Sequence, residues 1–208
     1  MSKDVSDMPK LFRDPSAIAE REKQLNEPHV QPLTELVDAL RASAKTSEDI
    51  PYFDPWDGGV NAECLFLLEA PGAKAIESGF VSRNNNDETA KNFFELNSQS
   101  GIPRKRTVSW NIVPWYIGSG HRIRAASATD IKSGMTHLLR LLDLLHSLRV
   151  IVLVGRKAQK AQKILSSERP DIKLFLSPHP SPLFINSKPG NKEIISAVLR
   201  DVAKYISA

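Results

Sequence analysis

Four short apolar runs limit what this chain can become: Cys64–Leu68, Thr107–Val113, Arg149–Gly155 and Ile172–Leu176. Between and around them the apolar residues recur every three or four positions instead. Leu33, Leu36, Val37 and Leu40 do so around Thr34–Ala44, and Ala90, Phe93, Phe94 and Leu96 within Glu88–Asn97. Leu138, Leu139, Leu142 and Leu145 follow in Thr129–Ser147, then Ile194, Ile195, Val198, Leu199 and Val202 in Asn191–Ile206. Lys157–Ser166, rich in alanine, lysine and glutamine, reads as a further helix. Short continuous apolar runs are buried strands, and the 3.6-residue period marks helices packed on them. Strands alternating with helices predict an α/β fold, a three-layer α/β/α sandwich around a four-stranded parallel sheet.

Length and charge narrow the class. A chain of 208 residues is long enough for one sizeable core, so a single domain over 1–208 is expected, with its main body at 63–206. The net charge of +4 permits a polyanionic partner without demanding one. One cysteine excludes an intramolecular disulfide framework and any multi-cysteine metal or iron–sulfur site. No run approaches membrane-spanning length, and the N-terminus has no apolar core of the signal-peptide kind, which points to a soluble, cytoplasmic protein. Residues 1–29 are polar and hold three prolines; they read as a mobile arm or surface wrap, with a short helix at Ser16–Asn26. Phe53 and Trp56, in the 46–62 loop, read as cover for the core. Ala73–Asn86 reads as a polar loop interrupted by Phe80, and Asp87 as the cap of the helix that Gly101 ends. The Arg104-Lys105-Arg106 cluster reads as a solvated loop or a phosphate contact.

The chemistry collects where strands end. Cys64–Leu68 delivers Glu69 into a Pro71-Gly72 turn, Asn111 lies near the end of the second run, and the fourth run exits into Ser177-Pro178-His179-Pro180. Taken alone, Glu69 is a solvated turn glutamate and Asn111 a strand amide bridging backbone. In a parallel sheet, however, ligands bind outside the carboxyl ends of the strands, and these three polar groups share that edge. A histidine between two prolines also sits on stiff backbone, as preorganised electrostatics requires.

In these stretches the chain resembles the uracil-DNA glycosylase superfamily: Glu69-Ala70-Pro71-Gly72, Trp110-Asn111-Ile112-Val113-Pro114-Trp115, and His179-Pro180-Ser181-Pro182, from about residue 63 onwards. The glutamate-alanine-proline-glycine form is most similar to the bacterial and archaeal branch that holds an iron–sulfur cluster. Having only Cys64, this chain departs from that branch, as it does in placing Leu68 where a glycine usually precedes the glutamate.

The resemblance implies a monofunctional hydrolase acting on uracil-containing DNA, single- or double-stranded, and yielding free uracil and an abasic site. It implies no cofactor or metal, a monomer and no membrane partner. It assigns catalysis to Glu69 and His179, and base contact to Ala70, Pro71, Gly72, Phe80 as stacking platform, and Asn111. DNA contacts are expected from Ser181, Lys188, Arg122 and Arg124, with Leu183 or Phe184 as the wedge that fills the vacated stack. His121 falls where one branch carries a histidine that captures DNA covalently; a simple backbone contact is expected here. Two other readings compete: a member that binds damaged or abasic DNA with little turnover, and an unrelated nucleotide-binding enzyme. The second would want a glycine-rich phosphate loop after the first strand, a pattern Glu69–Gly72 lacks.

Overall fold

The computed structural model describes residues 6–43, 50–119 and 122–208. Its elements run α1 (Pro15–Glu22), α2 (Gln31–Ser43), β1 (Tyr52–Phe53), β2 (Cys64–Leu68), α3 (Ala73–Ser78), β3 (Phe80–Val81), α4 (Glu88–Ser100) and β4 (Thr107–Asn111). The second half follows with β5 (Gly118–Ser119), β6 (Arg122–Ile123), α5 (Ala128–Leu144), β7 (Val150–Val154), α6 (Gln162–Glu168), β8 (Lys173–Ser177), α7 (Pro182–Ile185) and α8 (Asn191–Ser207). The main sheet is parallel throughout, in the order β4-β2-β7-β8. This is the α/β/α sandwich expected from the sequence. Because β4 lies on one side of β2 and β7 on the other, the chain reverses direction across the sheet between β2 and β7. That reversal opens a crevice at the carboxyl edge.

Strand alternation builds two cores. Leu65, Leu67, Val108, Trp110, Ile151 and Leu153 face α2 and α5. Cys64, Phe66, Val150, Val152 and Val154 face α4 and α8. Successive strand residues point to opposite faces, so five-residue strands feed both layers. Phe53 stacks on Trp110 with ring centroids 3.9 Å apart, covering the first core as expected. Gly134 lets α5 lie directly on the exit of β4, since a Cβ there would meet the Ile112 carbonyl oxygen at 1.9 Å.

Local departures from the sequence reading are short elements. The 73–86 segment holds α3 and β3, the 115–128 segment holds the β5–β6 hairpin, and residues 182–185 form one helical turn. The helix expected from Lys157 begins as a 3-10 turn at Ala158–Ala161 before α6. Residues 6–29 lie against the body: Phe12 and Ala17 pack with Phe80, and the Arg21 guanidinium sits 3.6 Å over the Trp56 ring. Among the described residues no helix is long and apolar enough to cross a membrane.

Candidate active site

The segments that leave β2, β4 and β8 at the carboxyl edge of the sheet enclose a cavity of about 470 Å³. Register explains the convergence: Leu68 pairs with Asn111, Leu67 with Leu153, and Val154 with Ser177, so the strands end in nearly one row. Glu69, Ala70, Pro71 and Gly72 line the cavity from the β2 exit, Asn111 from β4, and His179 from beyond β8.

Each polar group is held from behind. The Glu69 carboxylate accepts from the Ala126 amide at 2.7 Å, just ahead of α5, which fixes the side chain while leaving its second oxygen open. The Ser177 carbonyl, two residues before His179, accepts from the Gly155 amide at 2.8 Å and from Gln159 Nε2 at 3.1 Å. The Pro180 carbonyl accepts from Asn92 Nδ2 at 3.0 Å, anchoring the other flank to α4. Gly155, with φ of 83°, backs the imidazole itself; a Cβ there would lie 3.2 Å from the His179 Cβ. Burial pushes the His179 pKa down, against the opposing pull of the Glu69 and Asp87 carboxylates. The ring is therefore neutral near pH 7, a donor through one nitrogen and an acceptor through the other.

Asn111 is 3% exposed, and its Nδ2 has no hydrogen-bond partner. An amide donor buried without a partner loses its hydration for nothing in return unless a ligand supplies the acceptor. Ser109, two residues earlier on the same strand face, is in the same condition at Oγ, as is Arg83 at Nε, and both border the cavity. These two were not singled out from the sequence. The period of two from Asn111 points to Ser109. Nothing local points to Arg83, whose Nη2 reaches Thr107 Oγ1 at 2.7 Å across 24 residues.

Three expected contacts require correction. The Phe80 ring is 1% exposed and packs on Phe12 with centroids 5.7 Å apart; the cavity wall is formed by its neighbour Val81, because alternation along β3 sends the two side chains to opposite sides. The aromatic on the wall is Phe93 of α4, held edge-on by Phe66 at 4.9 Å. Phe184 is turned inward against the α4–α8 core, whereas Leu183 beside it is 85% exposed. Arg124 lines the cavity but is engaged by Asp130, at 2.6 and 3.0 Å, rather than free for phosphate.

The remaining calls divide more simply. Ser181 caps α7, its Oγ accepting from the Phe184 amide at 3.3 Å, and Lys188 is exposed in the following turn. Arg122 pairs with Ser119 in the hairpin, and His121 lies outside the described residues. In the basic cluster, Arg104 and Arg106 serve the structure instead of DNA. Arg106 binds both oxygens of Glu63, at 2.5 and 2.6 Å.

Arg104 belongs to a buried ionic network behind the cavity. Asp54, fully buried, pairs with Arg21 and with Arg104 Nη2 at 2.6 Å and accepts from the Ser82 hydroxyl. Burial disfavours its charge, but Arg104 and Arg21 outweigh that and hold its pKa at about 2. Asp57 receives Arg104 Nε at 2.8 Å; burial raises its pKa despite that partner. The network ties residues 7–21 to the loop before β2.

The sequence matches the family model described as the uracil DNA glycosylase superfamily over residues 55–203. No curated protein matches it. The crystal structure of wild-type SMUG2 from Pedobacter heparinus superposes with a TM-score of 0.54 at 12% identity, covering 87% of this chain and 86% of that one. That likeness speaks for the fold alone. A solution NMR structure from Methanosarcina acetivorans, of a candidate uracil DNA glycosylase, gives a TM-score of 0.47 at 16% identity, covering 69% of this chain and 92% of that one.

Proposed function

The chain belongs to the uracil DNA glycosylase superfamily, and we propose on that footing that it excises uracil from DNA as a monomer, releasing the free base and leaving an abasic site. Uracil inside a duplex is out of reach, so the nucleotide is first turned out of the stack into the cavity. The observation that carries the reading is one cavity holding Glu69, Asn111 and His179, with the Asn111 amide donor unpartnered. A carboxamide offers a donor to the O4 of uracil and an acceptor to its N3–H; cytosine presents the reverse pattern. The turn backbone of Ala70–Gly72 borders the base, and Phe93 supplies the aromatic wall.

Cleavage breaks the bond between the sugar C1′ and the base nitrogen, and the electron pair leaves with the base. Neutral His179 donates a hydrogen bond to the base oxygen as charge develops there, the point at which a preorganised donor contributes most. Glu69 orients water, takes its proton as the new C1′–O bond forms, and stabilises the cationic sugar beforehand. Leu183 enters the gap left in the duplex.

The test uses end-labelled DNA carrying one uracil. Strand breaks should appear only after heat and alkali, with no protein–DNA adduct on a denaturing gel. Tight binding without base release would overturn the reading in favour of a damage-binding protein.

A further inference from the structure

Strand β7 ends at the same edge as β2, β4 and β8, yet the turn that leaves it, residues 155–159, places no side chain in the cavity. It holds both catalytic groups from behind instead. The Gly155 amide and Gln159 Nε2 donate to the Ser177 carbonyl, two residues before His179. Lys157, between them, reaches the other way. Its ammonium donates to the Ala126 carbonyl, and the Ala126 amide is the group that donates to Glu69 at 2.7 Å. Ala126 is 1% exposed and stands just before Ser127, which caps α5 in a reciprocal box with Asp130. Asp130 is itself engaged by Ser127 and by Arg124. The amino end of a helix disfavours a cation, so the α5 dipole does not draw Lys157 there. Among the described residues its hydrogen-bond partner is the Ala126 carbonyl. Its neighbours Arg156 and Lys160 are exposed, whereas Lys157 is half-buried.

We propose that Lys157 is a positioning residue for the cleavage step: it fixes Ala126, and through Ala126 the Glu69 carboxylate, so that the second carboxylate oxygen faces the attacking water. The proposal rests on the glycosylase reading. Glu69 leaves β2 on a turn, and one backbone amide holds its carboxylate. Where that amide moves, the carboxylate moves with it. An ångström of misplacement is enough to cost a factor of about 10² in rate. A site stays within that limit only where the groups that support it are themselves fixed. Lys157 gives this support from the turn that also braces the approach to His179. The acceptor of the water's proton and the donor to the departing base are thereby set from one place, the exit of β7. Lysine itself meets neither base nor water, since it does not line the cavity.

The experiment is a double-mutant cycle on single-turnover release of uracil from single-stranded DNA, with rates read per folded molecule. Lys157→Met is expected to slow release by about 10–10²-fold. The Kd for the same DNA, and its dependence on salt, should stay as in wild type. In a Glu69→Ala background no carboxylate remains to be positioned, and there Lys157→Met should change the rate by about twofold or less. Equal slowing in both backgrounds would overturn the proposal, because the lysine would then act without Glu69. So would an unchanged rate of release with a weaker Kd and a salt slope smaller by about one, the signature of a phosphate contact. If Lys157→Met does not fold, Lys157→Gln, too short to reach the Ala126 carbonyl, is carried through the same cycle under the same criteria. Wild-type protein that releases no uracil defeats the glycosylase reading, and the proposal with it. Wild-type protein that releases uracil, with Lys157→Met matching it, defeats the proposal alone.

Discussion

Two polar clusters, the cavity at the carboxyl edge of the sheet and the ionic network built on residues that precede β2 and β4, are finished differently. In the ionic network, Asp54 has Arg21, Arg104, Ser82 and the Trp56 amide around it. In the cavity, Asn111 and Ser109 each keep a buried polar group without a hydrogen-bond partner. Both clusters are far from bulk water, so both carry the desolvation penalty of polar burial. Only the first recovers it within the chain. A saturated cluster fixes structure; an open one is completed by what binds.

The sharpest way to break that contrast is to open the network. Arg21→Ala removes one partner of a fully buried pair and leaves Asp54 with one guanidinium fewer, which is expected to destabilise the fold by about 3–5 kcal/mol. Denaturant unfolding reads this directly. The single-turnover rate per folded molecule should stay near wild type, since Arg21 does not border the cavity. A rate loss larger than the loss of folded protein would show the network to be part of the chemistry.

Asn111→Ala should give the opposite signature. It deletes an unpartnered donor, so unfolding stability is expected to hold or rise slightly, while uracil excision falls by about 10²–10³-fold. Stability falling together with activity would mean that Asn111 serves the strand and that the base is read elsewhere.

The pH dependence is a smaller effect with a defined sign. His179 has its pKa lowered in the folded protein, so between that value and the ordinary histidine value near 6.5 the unfolded chain binds more protons. Its contribution to stability is present above pH about 6.5 and is lost as pH falls through that window. The neutral ring likewise persists below 6.5, and the acid limb of kcat/KM should fall on the acid side of an ordinary histidine. An acid limb above 6.5, or one unchanged in Glu69→Gln and His179→Gln alike, would remove His179 from the pH profile.

Sequence and structure agree most where periodicity is long. Val150–Val154 and the helix at Asn191–Ser207 declare themselves by composition over several residues, and the parallel sense of the four strands follows from their alternation with helices. Glu69, Asn111 and His179 were legible for a related reason: each marks the end of a strand, and strand ends of a parallel sheet share an edge. What escaped were side-chain directions within short segments. Phe80 and Val81 are both apolar, and only the pairing of β3 with β1 decides which turns to the cavity. The Arg104 cluster read as a solvated loop or a phosphate contact because its carboxylates, Asp54 and Asp57, are about fifty residues away in the chain. Arg83 has no local signal at all; its position depends on Thr107 and Asp57, which arrive from two other elements.

The smallest expected effect lies outside both clusters, at Leu183. Its side chain is 85% exposed on one turn of helix, while Phe184 next to it is packed inward. Exposure means that removing it leaves the fold untouched, and Leu183→Ala should unfold at the wild-type denaturant midpoint within error. Its apolar surface has value only when a partner covers it. In a duplex the flipped nucleotide leaves a gap between stacked bases, and an apolar side chain filling that gap opposes the return of the base. Burying a leucine is worth about 1.5–3 kcal/mol and alanine keeps part of that, so excision from duplex DNA should slow by about tenfold. Single-stranded DNA offers no opposing stack to fill, and there the variant should match wild type. Equal slowing on both substrates would make Leu183 a general DNA contact. No slowing on either would place the wedge on another loop, the β5–β6 hairpin with its exposed Ile123 being the next to test.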